Sequence, residues 1–121
     1  MISKAELEAM GCVLAVGFDR SVTDITGNEI VTNTGTVKRT SDGLYCVDLS
    51  SGALSWTTTD TLSTKLSWVN TGSGWTFDET FTEAGTTGVS GFTGKVAKIM
   101  LFTTTLTQNQ IDSIYEKTYI R

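Results

Sequence analysis

The sequence predicts an all-β fold, an antiparallel β-sandwich or jelly roll with a short helix at each end, on three observations. Threonine, a β-branched residue that favours strands, occurs 23 times in 121 residues. The chain contains no proline, so no strand is forced to a sheet edge. Short apolar runs alternate with turn sequences along most of the chain, as is typical of sandwiches.

A short helix is predicted over residues 4–10, within an N-terminal extension at residues 1–11. Ser3 and Glu6 have the spacing of a capping box, and apolar residues occupy both flanking staple positions. Gly11 follows at the position where helices commonly end in a left-handed residue. The chain is then expected to enter its first strand.

The strands are predicted from apolar runs bounded by Gly, Asn, Asp and Ser turn residues. They are expected at residues 12–18, 29–33, 35–40, 44–49, 53–57, 64–70, 75–82 and 95–103. The segments 57–64 and 84–94 are rich in Thr, Ser and Gly and are predicted to be loops.

The last predicted strand, 95–103, is apolar on both faces. Its alternation places Ala97, Ile99 and Leu101 on one face and Val96, Met100 and Phe102 on the other. A half-exposed antiparallel strand would alternate apolar and polar residues, so both faces should be covered. The C-terminal helix is the favoured cover, and a partner chain is the alternative.

A C-terminal helix is predicted over 108–118, in an element that begins at Thr107. Thr107 and Gln110 form a second capping-box pattern. Ile111, Ile114 and Tyr115 should pack on the sheet. With no visible linker or repeat, residues 1–121 are expected to form one domain.

Composition excludes several classes of function. The chain has no histidine, which removes Ser-His-Asp and Cys-His catalytic sites and the common zinc sites. Its net charge is −4 and no Lys or Arg cluster is present, so nucleic acid is not an expected partner. The longest apolar run, 12–18, is too short to cross a bilayer, so no membrane partner is expected. Cys12 and Cys46 lie in strand-like runs, which favours burial over a disulfide.

Two segments resemble a known family. The segment 17–28 is similar to the opening strand and Asp-x-x-Gly-Asn turn of the laminin-G and concanavalin A-like lectin and glucanase superfamily. The segment 92–102, with the Leu-Thr step and helix over 103–115, resembles the family's closing strand and helix. The resemblance implies a concanavalin A-like sandwich, shortened between Gly52 and Phe92. It argues for a fold and says little about a ligand.

The resemblance also implies a class of function. Small lectin-like domains occur as accessory proteins of phage heads and tails, so we expect a non-catalytic structural or decorative module whose partners are other virion proteins or copies of itself. The alternative is a carbohydrate-binding module with a glycan partner. The expected location is the virion for a phage protein and the cytoplasm otherwise, because the first residues do not resemble a signal peptide.

Glycosidase activity is not expected. Glucanases of this fold place two acids two residues apart on one strand, where both face one glycosidic bond. Asp78 and Glu79 are adjacent and point to opposite faces. Glu79 and Glu83 share a face but lie roughly 13 Å apart along an extended strand.

Five residues are candidates for sugar binding. Trp56, Trp68 and Trp75 offer rings for stacking, and Asn70 and Asp78 offer hydrogen bonds close to two of them. Core packing is the favoured alternative for each Trp, and in that alternative Trp75, Phe77 and Phe81 alternate on one face of their strand.

The sequence contains a candidate site for calcium. Asp19, Asp24 and Asn28 could supply oxygen ligands in one turn. The spacing lacks the dense Asp-x-Asp pattern of a strong site, and such side chains more often fold turns by bonding their own backbone.

The N-terminal helix is a candidate docking element, because it lies outside the family pattern. In this interpretation Leu7 and Met10 pack on a neighbouring protein. The alternative is that the helix covers an open end of the sandwich.

Overall fold

The computed structural model describes residues 1–19, 21–39 and 44–119 and shows two antiparallel sheets with two helices. The elements in chain order are α1 (Lys4–Ala9), β1 (Cys12–Val16), β2 (Thr32–Asn33), β3 (Thr36–Arg39), β4 (Tyr45–Asp48), β5 (Leu54–Ser55), β6 (Thr64–Asn70), β7 (Trp75–Asp78), β8 (Ala84–Gly85), β9 (Gly88–Val89), β10 (Lys95–Phe102) and α2 (Gln108–Thr118). The predicted all-β class is confirmed at this level.

The larger sheet is organised around β10. Its order is β3-β4-β10-β6-β7, and β1 also pairs with β10. β10 pairs with β6 along one side. On its other side the first two residues of β10 pair with β4 and the last four with β1. The apolar strand predicted from the sequence therefore lies at the centre of the sheet.

The smaller sheet has the order β2-β5-β9-β8. Strands β8 and β9 lie in the segment predicted to be a loop, so that prediction was wrong there. Each contains only two residues, one of them a glycine, and is too short to show an alternating pattern. Gly88 has a φ of +132°, and a Cβ on it would lie 2.1 Å from the Leu54 carbonyl oxygen. Only glycine allows β9 to approach β5 so closely.

The larger sheet is covered on both faces. One face packs against the smaller sheet. The apolar core between the two sheets includes Leu54, Val89 and Ile99. The other face packs against both helices through Leu7, Met100 and other residues. The predicted two-sided burial of β10 is confirmed, and the helices supply the second cover.

A bulge changes the faces predicted for β10. The pairing between β10 and β6 shifts between Val96 and Lys98. Val96 therefore packs in the core between the sheets with Ile99, whereas Ala97 faces the helices beside Trp68. The prediction reversed Val96 and Ala97 because strict alternation takes no account of an inserted residue.

Both capping boxes are confirmed. The Ser3 hydroxyl accepts from the Glu6 amide at 3.1 Å, and Glu6 accepts from the Ser3 amide. Thr107 and Gln110 make the same reciprocal bonds at α2. Glu6 also pairs with Lys117 of α2, and the bonds from Lys117 and Ser3 lower the pKa of Glu6 to about 2. The two helices are thus linked at the surface.

Ser67 is expected to be a destabilising residue. It is fully buried on β6, and its hydroxyl has no hydrogen-bond partner among the described residues. Ser67→Ala should raise the free energy of unfolding by about 1 kcal/mol, because an unpaired buried hydroxyl costs desolvation. Thermal unfolding measures the change. Thr64→Val is the control on the same strand and should be destabilising, because Thr64 bonds Thr104 and Leu106. A lower free energy of unfolding in Ser67→Ala would contradict the prediction that the Ser67 hydroxyl is destabilising.

The two thiols are expected to be inert in the folded protein. Both cysteines are buried and free, which confirms the prediction from the sequence. Burial raises the pKa of Cys46 and raises that of Cys12 to about 12. A thiol reagent at pH 8 should label neither residue until denaturant is added, because the thiolate is the reactive form. Rapid labelling of the native chain would contradict this.

The same shift predicts a loss of stability in alkali. Cys12 titrates near 9 when unfolded and near 12 when folded, so the unfolded chain loses its proton first. The contribution of this thiol to the free energy of unfolding should be intact below pH 9 and should decline as the pH rises toward 12. Cys12→Ala should show a weaker decline in thermal stability over that range.

Candidate functional site

Trp56 is a core residue. Only 3% of its surface is exposed, and its indole N–H donates to the Gly85 carbonyl oxygen at 2.9 Å. It packs between the two sheets. Its ring is therefore not available to stack on a sugar. This corrects the prediction of Trp56 as a sugar-binding residue and agrees with the alternative that it packs in the core.

Trp68 anchors α2 to the sheet. It is 2% exposed, and its indole N–H donates to the Thr118 hydroxyl at 3.0 Å. That hydroxyl donates in turn to the Ile114 carbonyl oxygen at 2.7 Å. Trp68 is thus also corrected from a ligand candidate to a core residue, because its ring and its polar atom are both used internally.

An aromatic surface lies over Trp68. It consists of Trp75, Phe77, Tyr115 and Tyr119, all of them at least partly exposed. The ring centroids of Tyr115 and Tyr119 lie 5.4 and 5.8 Å from that of Trp68, and they are 5.3 Å apart. The two tyrosines are 37% and 54% exposed. Of the tryptophans, only Trp75 belongs to this surface.

The sequence indicated only part of this surface. Tyr115 was predicted to pack on the sheet, and its contacts with Trp68 and Phe77 confirm that. Tyr119 lies beyond the predicted helix and was missed. The spacing of Tyr115 and Tyr119, four residues apart, was the available signal, because such residues share one helix face.

Asn70 and Asp78 fold turns. The Asn70 side-chain oxygen accepts from the Gly72 amide at 2.8 Å. The Asp78 carboxylate accepts from the Thr80 amide at 2.9 Å. Asp78 pairs with Ser67, and Trp75 pairs with Asn70, so Asp78 and Trp75 lie on opposite faces of β7. Of the two polar candidates, only Asn70 shares a face with Trp75.

The side chains of the three calcium candidates already form hydrogen bonds, either within the loop or to the preceding strand β1. The buried Asp24 carboxylate accepts from the amides of Ala15, Thr26 and Glu29 at 2.9–3.0 Å. Asp19 accepts from Ser21 and Thr23, and Asn28 donates to the Val13 carbonyl oxygen. No group of three or more His, Cys, Asp or Glu side chains suited to a metal occurs in the described parts of the chain. The geometry agrees with the turn-forming alternative.

The pKa of the Asp19 carboxylate is lower than its ordinary value. Burial raises its pKa, but the hydrogen bonds from Ser21 and Thr23 outweigh burial and hold the pKa below its ordinary value. The charged form is therefore favoured by the loop itself.

The two docking candidates differ in exposure. Leu7 is fully buried and packs with Phe102 and Ile114 against the larger sheet. It cannot pack on a neighbour without leaving its own core, which corrects its assignment. Met10 is exposed in part and packs against the same core. The helix covers the face of the larger sheet that lies opposite the smaller sheet, which is neither a neighbouring protein nor an open end of the sandwich.

Both edges of the larger sheet are open in the described structure. β3 pairs only with β4, and β7 pairs only with β6. All four residues of β3 are exposed, including Val37 at 41%. Neither the smaller sheet nor the helices cover this strand. An edge of this kind presents unpaired backbone groups to another chain.

Lys98 is a buried cation that sequence reasoning missed. It is 5% exposed, and its Nζ donates to the Gly17 carbonyl oxygen at 2.8 Å. The Nζ also lies 4.7 Å from the centre of the Phe18 ring. Burial lowers the pKa of Lys98. These contacts fix the end of β1, where a Cβ on Gly17 would lie 1.9 Å from the Ala97 carbonyl oxygen.

Three of the clefts on the described surface have mixed polar and apolar walls. One, of about 540 Å³, is lined by residues that include Ile30 and Trp56. A second, of about 310 Å³, includes Glu79 and Leu106, and a third, of about 200 Å³, includes Asn70. Trp56 is only 3% exposed, so none of the three offers an open aromatic ring.

Comparison with protein-family models, curated proteins and solved structures finds no match to this chain. In the described residues neither helix has the length and apolar character needed to cross a bilayer.

Proposed function

We propose that the chain is a non-catalytic structural module with a concanavalin A-like, jelly-roll sandwich fold. In this proposal it is an accessory protein of a phage head or tail and assembles with other virion proteins or with copies of itself. The fold and the virion role follow from the resemblance of residues 17–28 and 92–102 to that superfamily. The structural role follows from the open edges of the larger sheet.

The exposure of β3 is the observation that supports a structural role most directly. β3 is an edge strand of the six-stranded larger sheet, and in the described structure it is bonded only to β4. β3 has one free edge and no cover on either face. A strand left in this state is suited to pairing with another chain, where its edge and its apolar Val37 become covered.

Absolute mass in solution tests the structural role. Light scattering after size-exclusion chromatography should give more than the 13.0 kDa of one chain at high protein concentration. The result should be the same with calcium and with a chelator, because the side chains of the candidate calcium ligands already form hydrogen bonds. A chain that stays monomeric and also binds a glycan through the aromatic surface would contradict the structural role.

Carbohydrate binding is the second candidate function, and the aromatic surface is the observation that favours it. Partly exposed Trp and Tyr rings stack on the apolar faces of sugars. Asn70 lies across the strand from Trp75 and can add a hydrogen bond. The site proposed here differs from the one predicted from the sequence, because Tyr115 and Tyr119 replace Trp56 and Trp68.

A glycan array tests this second function. Trp75→Ala and Tyr119→Ala should each abolish retention of any glycan that the wild-type chain binds. Tyr45→Phe, which changes an aromatic residue on another strand, is the control and should bind normally. Retention that survives both aromatic substitutions would exclude the aromatic surface as the site.

A further inference from the structure

The two open edges of the larger sheet carry opposite charges. β3 ends in Lys38 and Arg39, whereas β7 ends in Asp78 and is followed by Glu79. Charged residues on an edge strand prevent pairing with an edge of the same charge. Two copies of β3 bring four positive charges together, and two copies of β7 with the following Glu79 bring four negative charges together. Pairing of β3 with β7 is the combination that the charges favour.

We propose that β3 of one copy pairs in parallel with β7 of the next copy, so that successive larger sheets join into one. This inference rests on the proposed structural function and names a second copy of the chain as the partner. The path from β3 through β4, β10 and β6 to β7 consists of antiparallel pairs. β3 and β7 therefore run in the same direction. When the larger sheet of one copy continues into the larger sheet of a second copy in the same orientation, β3 of one copy and β7 of the other pair in parallel.

The faces of the two strands agree with this pairing. Arg39 pairs with Tyr45, and Asp78 pairs with Ser67, so both point to the side of the smaller sheet. When Asp78 lies beside Arg39, opposite charges meet on one face. Like charges would meet at this position if either strand paired with itself in the same register.

The opposite face agrees as well. Lys38 pairs with Cys46 and Phe77 pairs with Trp68, so both point to the side of the helices. The register that joins Asp78 to Arg39 places Lys38 beside Phe77. The aliphatic stem of Lys38 can then cover a partly exposed ring while its charge stays in water.

The contact joins two different edges, so it is heterologous. Such contacts form a closed ring when the rotation between copies closes, and a filament when it does not. Each copy uses both edges, so copies continue to add unless a ring closes. The intramolecular ion pair between Lys38 and Asp48, at 3.0 Å, competes with the contact, and each single contact is therefore weak.

Charge reversal tests the pairing. K38E/R39E makes both edges acidic, and D78K/E79K makes both basic. Each variant alone should stay at 13.0 kDa where the wild-type mass rises about two-fold or more. An equimolar mixture should regain the higher mass, because the acidic edges of one variant match the basic edges of the other.

Two further variants separate charge from folding. E8K/E116K changes the net charge as much as D78K/E79K but lies on the helices, and it should associate like the wild type. Thr76→Arg adds a positive charge to β7 without removing the turn bond of Asp78, and it should weaken association with normal thermal unfolding.

Association that persists in every variant would overturn this pairing and leave the structural function intact. A wild-type chain that is monomeric at all concentrations would overturn both this pairing and assembly between copies of the chain, and of the structural function it would leave only assembly with other virion proteins.

Discussion

Asp24→Ala is expected to lower the free energy of unfolding by about 4 kcal/mol. The carboxylate is buried and accepts from three backbone amides and from the Thr26 hydroxyl. Alanine leaves those donors without an acceptor, and each buried orphan costs about 1–3 kcal/mol. In a chain of this size the melting temperature should fall by roughly 15 °C. Thermal and urea unfolding measure the loss.

Asp19→Ala is the matched control. It removes a carboxylate from the same loop, but Asp19 is exposed and bonds Ser21 and Thr23 close by. We expect a loss below about 1 kcal/mol, as is typical of surface positions. Equal losses in both variants would contradict the central role of Asp24. Calcium should leave the wild-type melting temperature unchanged, because the Asp24 oxygens already accept hydrogen bonds.

Trp68→Ala is expected to cost about 4 kcal/mol, in the range for buried aromatic residues. It leaves a cavity under α2 and removes the donor to the Thr118 hydroxyl. Tyr115 and Tyr119 lose the ring that they pack against. Near-ultraviolet circular dichroism should show loosened aromatic packing, and thermal unfolding should show the loss of stability.

Trp75→Ala is the control for Trp68. Its ring is partly exposed on an edge strand, so its removal should cost less than about 1.5 kcal/mol. Similar losses at the two positions would mean that Trp68 is not the anchor of α2. This comparison also separates stability from any effect on glycan binding, which only Trp75 should carry directly.

The helices were the most predictable elements. The bonding of Ser3 with Glu6 and of Thr107 with Gln110 is local, so a four-residue pattern is enough to identify each start. The C-terminal helix has the predicted bounds, 108–118, and the N-terminal helix ends at Ala9 rather than at residue 10. The seven-residue strand β6 also has its predicted bounds.

The strands of the smaller sheet were less predictable. β2 and β5 are shorter than predicted, and β8 and β9 were missed, because two-residue strands are defined by their partners. β7 ends at Asp78 rather than at residue 82. Phe81 consequently packs between the sheets, whereas Phe77 faces the helices, and the prediction that they share a face was wrong.

The candidate site was predicted only in part. Composition identified the residue types, but exposure depends on which layer covers each face. Trp68 is buried because α2 lies over it, and Trp75 is partly exposed because it lies on an edge strand. The opposite charges of β3 and β7 became visible only with the strand order, which places two strands far apart in sequence at the two edges.

Hydrogen exchange at β3 tests the proposed assembly most directly. The outward backbone amides of Thr36–Arg39 are open in a single chain and become hydrogen bonded when β7 of another copy pairs with them. We expect their exchange to slow as protein concentration rises, while exchange at the exposed residues of α1 stays constant. Exchange at β3 that is independent of concentration, in a sample whose mass rises, would contradict the account.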